Sequence, residues 1–415
     1  MMDMDNVIVK SLFIILIYLI GGCLIVDVLH GYLVQSLRID LMVSTLYKLV
    51  LIVFSLLYLA IVDRIKFIFL ILLFCFLLIS PIRLLIQGTD NVHIYDLTLL
   101  MKYFFLISLF LFSLDASKRY FNLYSERVGV ILRLNYYIVV ISVLIGYIGI
   151  GFYTYNSTEM GFKGFFIAGN ELSALFILLS IYELYRVWNS CVRLKIVRYM
   201  FCTLVIVIVG SSIGTKAALI SAITTPVIVP LASVAKTKRD LALLVGLGLF
   251  IITFLSVFIV PMLFSGKFSF DLIDRAIYYY ESKGFLGMIL SGREELLFSY
   301  YSSLNAVSDV FSLIFGTGHI GLKDVYEKNF IEIDPFDAAM YFGLPFSLLL
   351  TLTSLWVIIK SYLYFGVSKF APLVFVANIF MFFFAIIAGH VWTSSLLAIS
   401  WCILTNLLWS KNEDS

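Results

Sequence analysis

Stretches of about twenty apolar residues recur along nearly the whole chain, and this fixes its solvent before anything else is known. A bilayer core of ~30 Å needs ~20 mostly apolar residues per helix. Twelve windows meet that length: 8–29, 39–62, 65–86, 97–114, 129–152, 165–186, 196–212, 217–234, 240–263, 336–358, 370–388 and 391–409. The composition agrees. Of 415 residues, 62% are hydrophobic and 13% charged, against about 45–50% and about 25% in soluble domains. A soluble enzyme, a disordered chain and a disulfide-stapled secreted domain are excluded. The predicted fold is all-α: a polytopic integral membrane protein of about 12 helices, one membrane domain over 1–415. The apolar run from Val7 to about Leu29 reads as a retained first helix, since no small-residue cleavage site precedes a polar mature chain.

Orientation follows from Lys and Arg in the short gaps between spans. Arg64 and Lys66 mark the second gap. Lys118, Arg119, Arg127 and Arg133 mark the fourth. Arg186, Arg193, Lys195 and Arg198 mark the sixth, Lys236, Lys238 and Arg239 the eighth, and Lys360 and Lys369 the tenth. The alternate gaps are poor in cations. The basic gaps, and both termini with them, are therefore expected on the cytoplasmic side. Residues 264–335 form the exception, a large extracytoplasmic loop of roughly 70 residues. A loop that long is usually functional or disordered. Helical patterning around Glu294–Val310 favours function.

The small counts narrow the chemistry. Cys23, Cys75, Cys191, Cys202 and Cys402 show no CxxC spacing, so neither a zinc site nor a disulfide framework is expected. No cofactor is indicated. A net charge of +3 is too small to suggest nucleic acid. Two glycine motifs mislead. Gly316-Thr317-Gly318-His319-Ile320-Gly321 has the form GxGxxG, but no strand precedes it and it falls in the outer loop, so a tight turn is expected. Gly214-Thr215-Lys216 is not a GK[ST] ending. Ionisable residues inside spans are functional candidates by default. Here they are Asp27, Lys48, Lys102, Glu171 and Glu183, of which Lys48, Lys102 and Glu183, and Asp27 as well, are expected to reach an interface.

Four clusters converge on the outer side. Lys163 lies near Asn170 and Glu171. Lys216 follows Ser212-Ile213-Gly214-Thr215. The large loop holds Arg275, Arg293, His319, Glu332, Asp334 and Asp337. Gly389-His390 separates the last two spans. No ATP is present outside a membrane, so the energy of any reaction there must reside in the substrate. Arg grips phosphate oxygens bidentately and Lys acts as a point charge. A carboxylate or imidazole can deprotonate an acceptor hydroxyl. The set suits group transfer from a lipid-diphosphate sugar. A plainer reading stands beside it: acids before a helix are favoured by its dipole, and His390 can simply cap a helix.

These residues sit in stretches that resemble the bacterial O-antigen ligase and polymerase superfamily, most of all its Wzy-type polysaccharide polymerases. The stretches are GFKGFFIAGNELSA (161–174), GTKAAL (214–219), SGREEL (291–296), FGTGHIG (315–321), IEIDPFDAAMYFGLPF (331–346) and AGHVWTSS (388–395). The resemblance covers roughly the second half of the chain. It implies a GT-C-like, inverting, metal-independent membrane glycosyltransferase in the bacterial inner membrane. Such a polymerase moves a growing O-antigen or capsule glycan from undecaprenyl diphosphate to a lipid-linked repeat unit, and a chain-length regulator and a flippase are its implied partners. Arg293 would bind diphosphate, with Arg275, Lys163 and Lys216 as further cations. Glu332, Asp334, Asp337 and His390 supply the base or acceptor clamp. Asn170, Glu171 and His319 would contact substrate. A ligase attaching finished glycan to a lipid core or protein shares the donor. A lipid-linked oligosaccharide flippase is the rival of another class, and a structural subunit of the export machinery a third.

Overall fold

The computed structural model describes residues 2–87, 92–155, 159–234, 278–284, 287, 290, 292–306, 310–319 and 330–409. The expected helix at 240–263, the cations Lys236, Lys238 and Arg239, and Arg275 lie outside the described residues, as do Ser291, Ile320 and Gly321.

Helices dominate, in the order α1 (Met2–Ser36), α2 (Val43–Val62), α3 (Arg64–Ile86), α4 (Val92–Arg119), α5 (Phe121–Leu144), α6 (Gly169–Trp188), α7 (Lys195–Ile213) and α8 (Lys216–Val234). There follow α9 (Arg293–Ala306), α10 (Val310–Phe315), α11 (Asp334–Phe342), α12 (Leu344–Leu363), α13 (Ala371–Ile387) and α14 (Ser395–Thr405). Eight of the described helices are long and apolar enough to cross a membrane. Their outward faces carry Ile65, Leu72, Ile86, Leu46 and Met200, all well exposed. A surface this apolar requires lipid rather than water around it. The protein is a membrane protein.

Three expected spans are interrupted, each by identifiable residues. The window 129–152 ends as a helix at Leu144 and passes through a 3₁₀ turn (Ile145–Ile148) to Gly149, which has φ +77°. An antiparallel hairpin then pairs β1 (Phe152–Tyr155) with β2 (Met160–Gly164), matching Tyr153 with Phe162 and Tyr155 with Met160. This hairpin is the one departure from the expected all-helical fold among the described residues. The window 336–358 breaks at Gly343 (φ +88°), with Pro345 in the first turn of α12. Proline is at home there because its missing N–H has no intrahelical acceptor anyway. The window 391–409 becomes helical only at Ser395, whose neighbour Ser394 caps α14 by accepting from the Leu397 N–H at 3.1 Å.

The core centres on α6. Residues Leu172–Leu184 of this helix are buried around its whole circumference. It packs against α5, α7, α8, α13 and α14. Buried on every side, α6 has protein rather than lipid for its surroundings. The hairpin, the starts of α6, α8 and α12, and the turn between α13 and α14 gather at one end of the bundle. That end is reached also by α1, whose Gln35 Nε2 donates to Phe165 O (3.1 Å) and Phe166 O (3.2 Å). At the opposite end Lys66 pairs with Asp63 (2.7 Å) and Asp115 (3.4 Å).

Three of the ionisable residues inside the spans, Asp27, Lys48 and Glu183, are paired. Lys48 Nζ contacts Asp27 Oδ1 at 2.7 Å, and Ser44 Oγ donates to the same oxygen. Glu183 is buried and binds Arg186 one turn later. The expectation that Asp27, Lys48 and Glu183 escape to an interface is corrected: a partner within reach satisfies each charge where it stands. Breaking a buried pair leaves an uncompensated charge and costs about 3–5 kcal/mol. We therefore expect Asp27→Ala to lower the unfolding temperature of the detergent-solubilised protein markedly. The double change Asp27→Leu/Lys48→Met should recover most of that loss. Equal unfolding temperatures for Asp27→Ala and wild type would show that the pair contributes nothing.

Candidate functional site

The turn between α13 and α14 cannot be helical. Gly389 has φ +65° and His390 φ +61°, and the left-handed region is disfavoured for L-residues in a run. Its backbone N–H groups therefore need acceptors from elsewhere. Gly389 N–H still reaches Phe384 O (2.9 Å), and Asp334, in the first turn of α11, supplies the next three. Its Oδ1 accepts from His390 N–H (2.7 Å), and its Oδ2 from Val391 N–H (2.7 Å) and Trp392 N–H (2.9 Å). Asp334 is wholly buried. Burial pushes its carboxyl up to about 6, while the three N–H donors hold it down. Gly389 is required by a close approach as well as by its φ, since a Cβ there would sit 2.5 Å from Glu332 O. Asp337, one turn along α11, accepts from Ile331 N–H at 2.7 Å and is also buried. Burial, then the nearby charge of Asp334, raises its carboxyl well above the usual range.

Glu332 precedes this pair, also at positive φ (65°). Its Oε2 accepts from Arg293 Nε (2.9 Å) and Nη2 (2.7 Å). Arg293 opens α9, and its Nη1 donates to Ile387 O at the end of α13 (2.7 Å). One guanidinium thus ties α9, the Glu332 turn and α13 together. Arg293 is 15% exposed and Glu332 31%, so the ion pair lies at an accessible rim. An incoming anion can compete for this arginine, which it could not do in a sealed core.

Beside the same turn is a polar cavity of about 260 Å³, lined by Thr154, Tyr155, Ala168, Gly169, Asn170, Glu171 and His390. Glu171 Oε2 accepts from Ser394 Oγ at 2.6 Å, which joins the start of α6 to the start of α14. The His390 ring packs edge-on against Phe330, with centroids 5.0 Å apart, and its Nδ1 lies 3.5 Å from Thr393 Oγ1. Lys163 lies beneath the segment that leads into α6. Its Nζ donates to Ile167 O (3.0 Å), and burial lowers its ammonium below the usual lysine range.

Two of the stretches singled out in the sequence meet directly. A Cβ on Gly161 would stand 2.4 Å from Ile213 O, next to Gly214. Thr154 Oγ1 donates to Ile213 O (2.7 Å), and Ser173 Oγ lies 2.7 Å from Thr215 Oγ1. This contact brings Lys216 to the same end of the bundle. Its ammonium lies over the Tyr279 ring at 5.5 Å, and that of Lys283 lies over the same ring at 5.8 Å.

The structure therefore brings together Asn170, Glu171 and His390 around one cavity and places the Arg293–Glu332 pair against its turn. Lys163 is close by in sequence but is committed to a backbone oxygen. Asp334 and Asp337 hold backbone rather than face the cavity. His319 occupies a separate buried cluster: its backbone N–H points to Asp96 Oδ2 (3.3 Å), and its ring packs at a tilt against Tyr95 with centroids 4.8 Å apart and lies beside Tyr341. A Cβ on Gly318 would approach that Asp96 oxygen to 2.5 Å, so Gly316–His319 form a turn closed onto α4. Sequence reasoning missed Ser394, Thr154 and Lys283. Only the aromatic run at 278–280 hinted at the Lys283 environment. Among the described residues no group of three or more His, Cys, Asp or Glu is placed to hold a metal ion. No family model matches the chain, and no curated protein or solved structure is significantly similar to it.

The two aspartates should separate by experiment. Asn offers one acceptor where Asp334 uses two, so Asp334→Asn should lose about 2 kcal/mol of stability. For Asp337 the folded carboxyl is raised above its ordinary 3.8. Its stabilising contribution is thus full below that value and lost as pH rises through the folded value. Asp337→Asn, a neutral isostere, should unfold at or above the wild-type temperature at pH 8, with the difference shrinking toward pH 5. Thermal unfolding followed by tryptophan fluorescence at both pH values measures this. A large loss for Asp337→Asn at pH 8 would show that the carboxylate itself is needed.

Proposed function

We propose that the protein is a membrane glycosyltransferase that polymerises a bacterial surface polysaccharide. It transfers a growing O-antigen or capsule glycan from undecaprenyl diphosphate to a lipid-linked repeat unit. In this reading it is a multi-pass, GT-C-like protein of about 12 spans in the bacterial inner membrane. The end carrying the cavity faces outward, and both termini are cytoplasmic, in keeping with the Lys and Arg bias of the gaps. The observation that carries the proposal is a polar cavity lined by Glu171 and His390 at one end of an apolar bundle, with the partly exposed Arg293–Glu332 pair packed against the turn that carries His390. The resemblance of the 161–174, 291–296, 331–346 and 388–395 stretches points the same way.

In this reading the residues carry unequal roles. Arg293 presents a planar fork already oriented by Glu332, Ile387 O and Leu290 O. A diphosphate takes the place of Glu332 on that fork, and the charge building on the leaving group meets a preorganised cation. Lys216 adds a point charge from the start of α8. The displaced Glu332, or Glu171, or His390, accepts the proton of the acceptor hydroxyl as the new glycosidic bond forms. Asp334 holds the turn that presents His390, Asp337 holds the Ile331 backbone, and neither touches substrate. Aromatic residues of the 278–280 segment, where Tyr278 and Tyr280 are exposed, offer flat faces for sugar rings.

The test is a gel of surface and lipid-linked glycan from a deletion strain. Complementation with wild type should restore a ladder. Arg293→Ala and Glu171→Gln, present in the membrane at wild-type level, should leave a single attached repeat, because losing a transition-state donor or a base costs about 10²–10⁴ in rate. Long glycan that accumulates on undecaprenyl diphosphate in the deletion strain would instead identify a ligase. A lipid-linked repeat trapped on the cytoplasmic face would identify a flippase. A full ladder from Arg293→Ala would remove the arginine from the site.

A further inference from the structure

The wall of the polar cavity differs in charge from the rest of this end of the bundle. Thr154, Tyr155, Asn170, Glu171 and His390 supply its polar surface, and among the described residues no lysine or arginine lines it. The lysines at the same end are engaged elsewhere, Lys163 on Ile167 O (3.0 Å) and Lys216 over the Tyr279 ring. Asn170, Glu171 and His390 are partly exposed. Ser394, itself buried, accepts from Leu397 N–H at 3.1 Å, so its one proton is left for Glu171 Oε2 at 2.6 Å. One carboxylate oxygen is thus pinned by the protein. Among the described residues no hydrogen bond engages Glu171 Oε1, the Asn170 amide or His390 Nε2. A fixed acceptor, an amide that both donates and accepts, and an imidazole nitrogen therefore border one space. Helix α6 begins at this wall, and Glu171 in its first turn answers the helix dipole that would otherwise draw an anion.

We infer that this cavity seats one uncharged sugar, the terminal residue of the acceptor glycan, and that Glu171 excludes acidic sugars from it. The word acceptor rests on the proposed glycan transfer, whereas the preference for an uncharged polyol rests on the wall alone. Pockets for drug-sized ligands begin at about 300 Å³, so a space of about 260 Å³ suits a single sugar ring. Each sugar hydroxyl donates and accepts, which matches Glu171 Oε1, the Asn170 amide and His390 Nε2 in turn. A uronic acid or a phosphate would set a second negative charge against Glu171 at short range, where like charges repel. The anionic leaving group belongs instead on Arg293, which holds the same turn through Ile387 O (2.7 Å). Both substrates of such a polymerase carry a sugar end and a diphosphate end. Subsites of opposite charge keep either end from entering the other's place.

Protection of His390 from diethyl pyrocarbonate tests this, read by peptide mass spectrometry on the full-length protein in a detergent without a sugar head group. His319, buried in its own cluster, is the internal control. The probes are the methyl glycosides of glucose, galactose, N-acetylglucosamine, glucosamine and glucuronic acid, and inorganic pyrophosphate, all at one saturating concentration. At least one uncharged glycoside should slow modification of His390 about fivefold, and the glucuronide and pyrophosphate should change it less than about twofold. Asn170→Ala should cut the protection about fivefold. Glu171→Gln keeps the shape and removes the charge, so the glucuronide should then protect as well as the glucoside. Should Glu171→Gln not fold, Asn170→Lys adds a cation to the wall and should admit the glucuronide in the same way. Absence of protection by every uncharged glycoside would overturn the inference. So would equal protection of the wild type by the glucuronide, or stronger protection by the free amine than by its N-acetyl form. The readout needs no catalysis, so the two proposals can fail separately. Protection by an uncharged glycoside with an intact ladder in the deletion strain would sink the polymerase and leave a sugar site. A collapsed ladder without such protection would do the reverse.

Discussion

Asp334 carries an obligation that water would otherwise meet. At a membrane edge, non-helical backbone is tolerated only where protein satisfies its polar groups. The chain between α13 and α14 turns through two left-handed residues and leaves three consecutive N–H groups facing inward. Both carboxylate oxygens of Asp334 are consumed by them. Everything at this end is referenced to that contact. Glu332 stands two residues before Asp334 and orients Arg293. His390 stands on the clamped turn. Ser394 reaches Glu171 only because the turn delivers α14 at that height. An acid that looks catalytic by composition is thus structural by geometry, and the catalytic candidates depend on it.

Charge at this end is balanced locally. Arg293 faces Glu332, Lys283 faces Glu295 at 2.8 Å, and Lys216 rests on the Tyr279 ring. Exposed ion pairs contribute little to stability, so their value lies in availability. A partly exposed pair holds its arginine in one rotamer yet yields it to a competing anion at small cost. A sealed pair, such as Asp27 with Lys48, cannot be redeployed in this way.

Much of the bundle was legible because hydrocarbon imposes a length and a composition on each element. The windows at 8–29, 39–62 and 65–86 became α1, α2 and α3 with little adjustment. The helix breaks were harder to read. Gly343 and Pro345 are ordinary in an apolar run, and only packing decides that the chain stops at Phe342 and restarts at Leu344. The hairpin at 152–164 fell almost wholly in the gap between the expected spans 129–152 and 165–186, where no strand was expected. Nearness in space was invisible as well. Nothing in the sequence pairs Gly161 with Gly214 or Glu171 with Ser394, although the motifs holding them were singled out. The opposite failure befell Asp337 and His319, where residue type suggested chemistry and burial removed them from the cavity.

Helix α6 has a consequence for how the protein is made. It bears Glu171, Glu183 and Arg186, and it is enclosed by neighbours on every side. Such a segment partitions poorly into lipid by itself. Two of its walls, α13 and α14, leave the ribosome long after it does. During synthesis α6 must therefore wait beside α5, α7 and α8 with part of its surface uncovered. Arrival of the C-terminal helices completes both its casing and the Ser394 contact to Glu171. The cavity comes into existence only with that last docking event, so a polypeptide interrupted before α14 carries the charges of the site without the site itself.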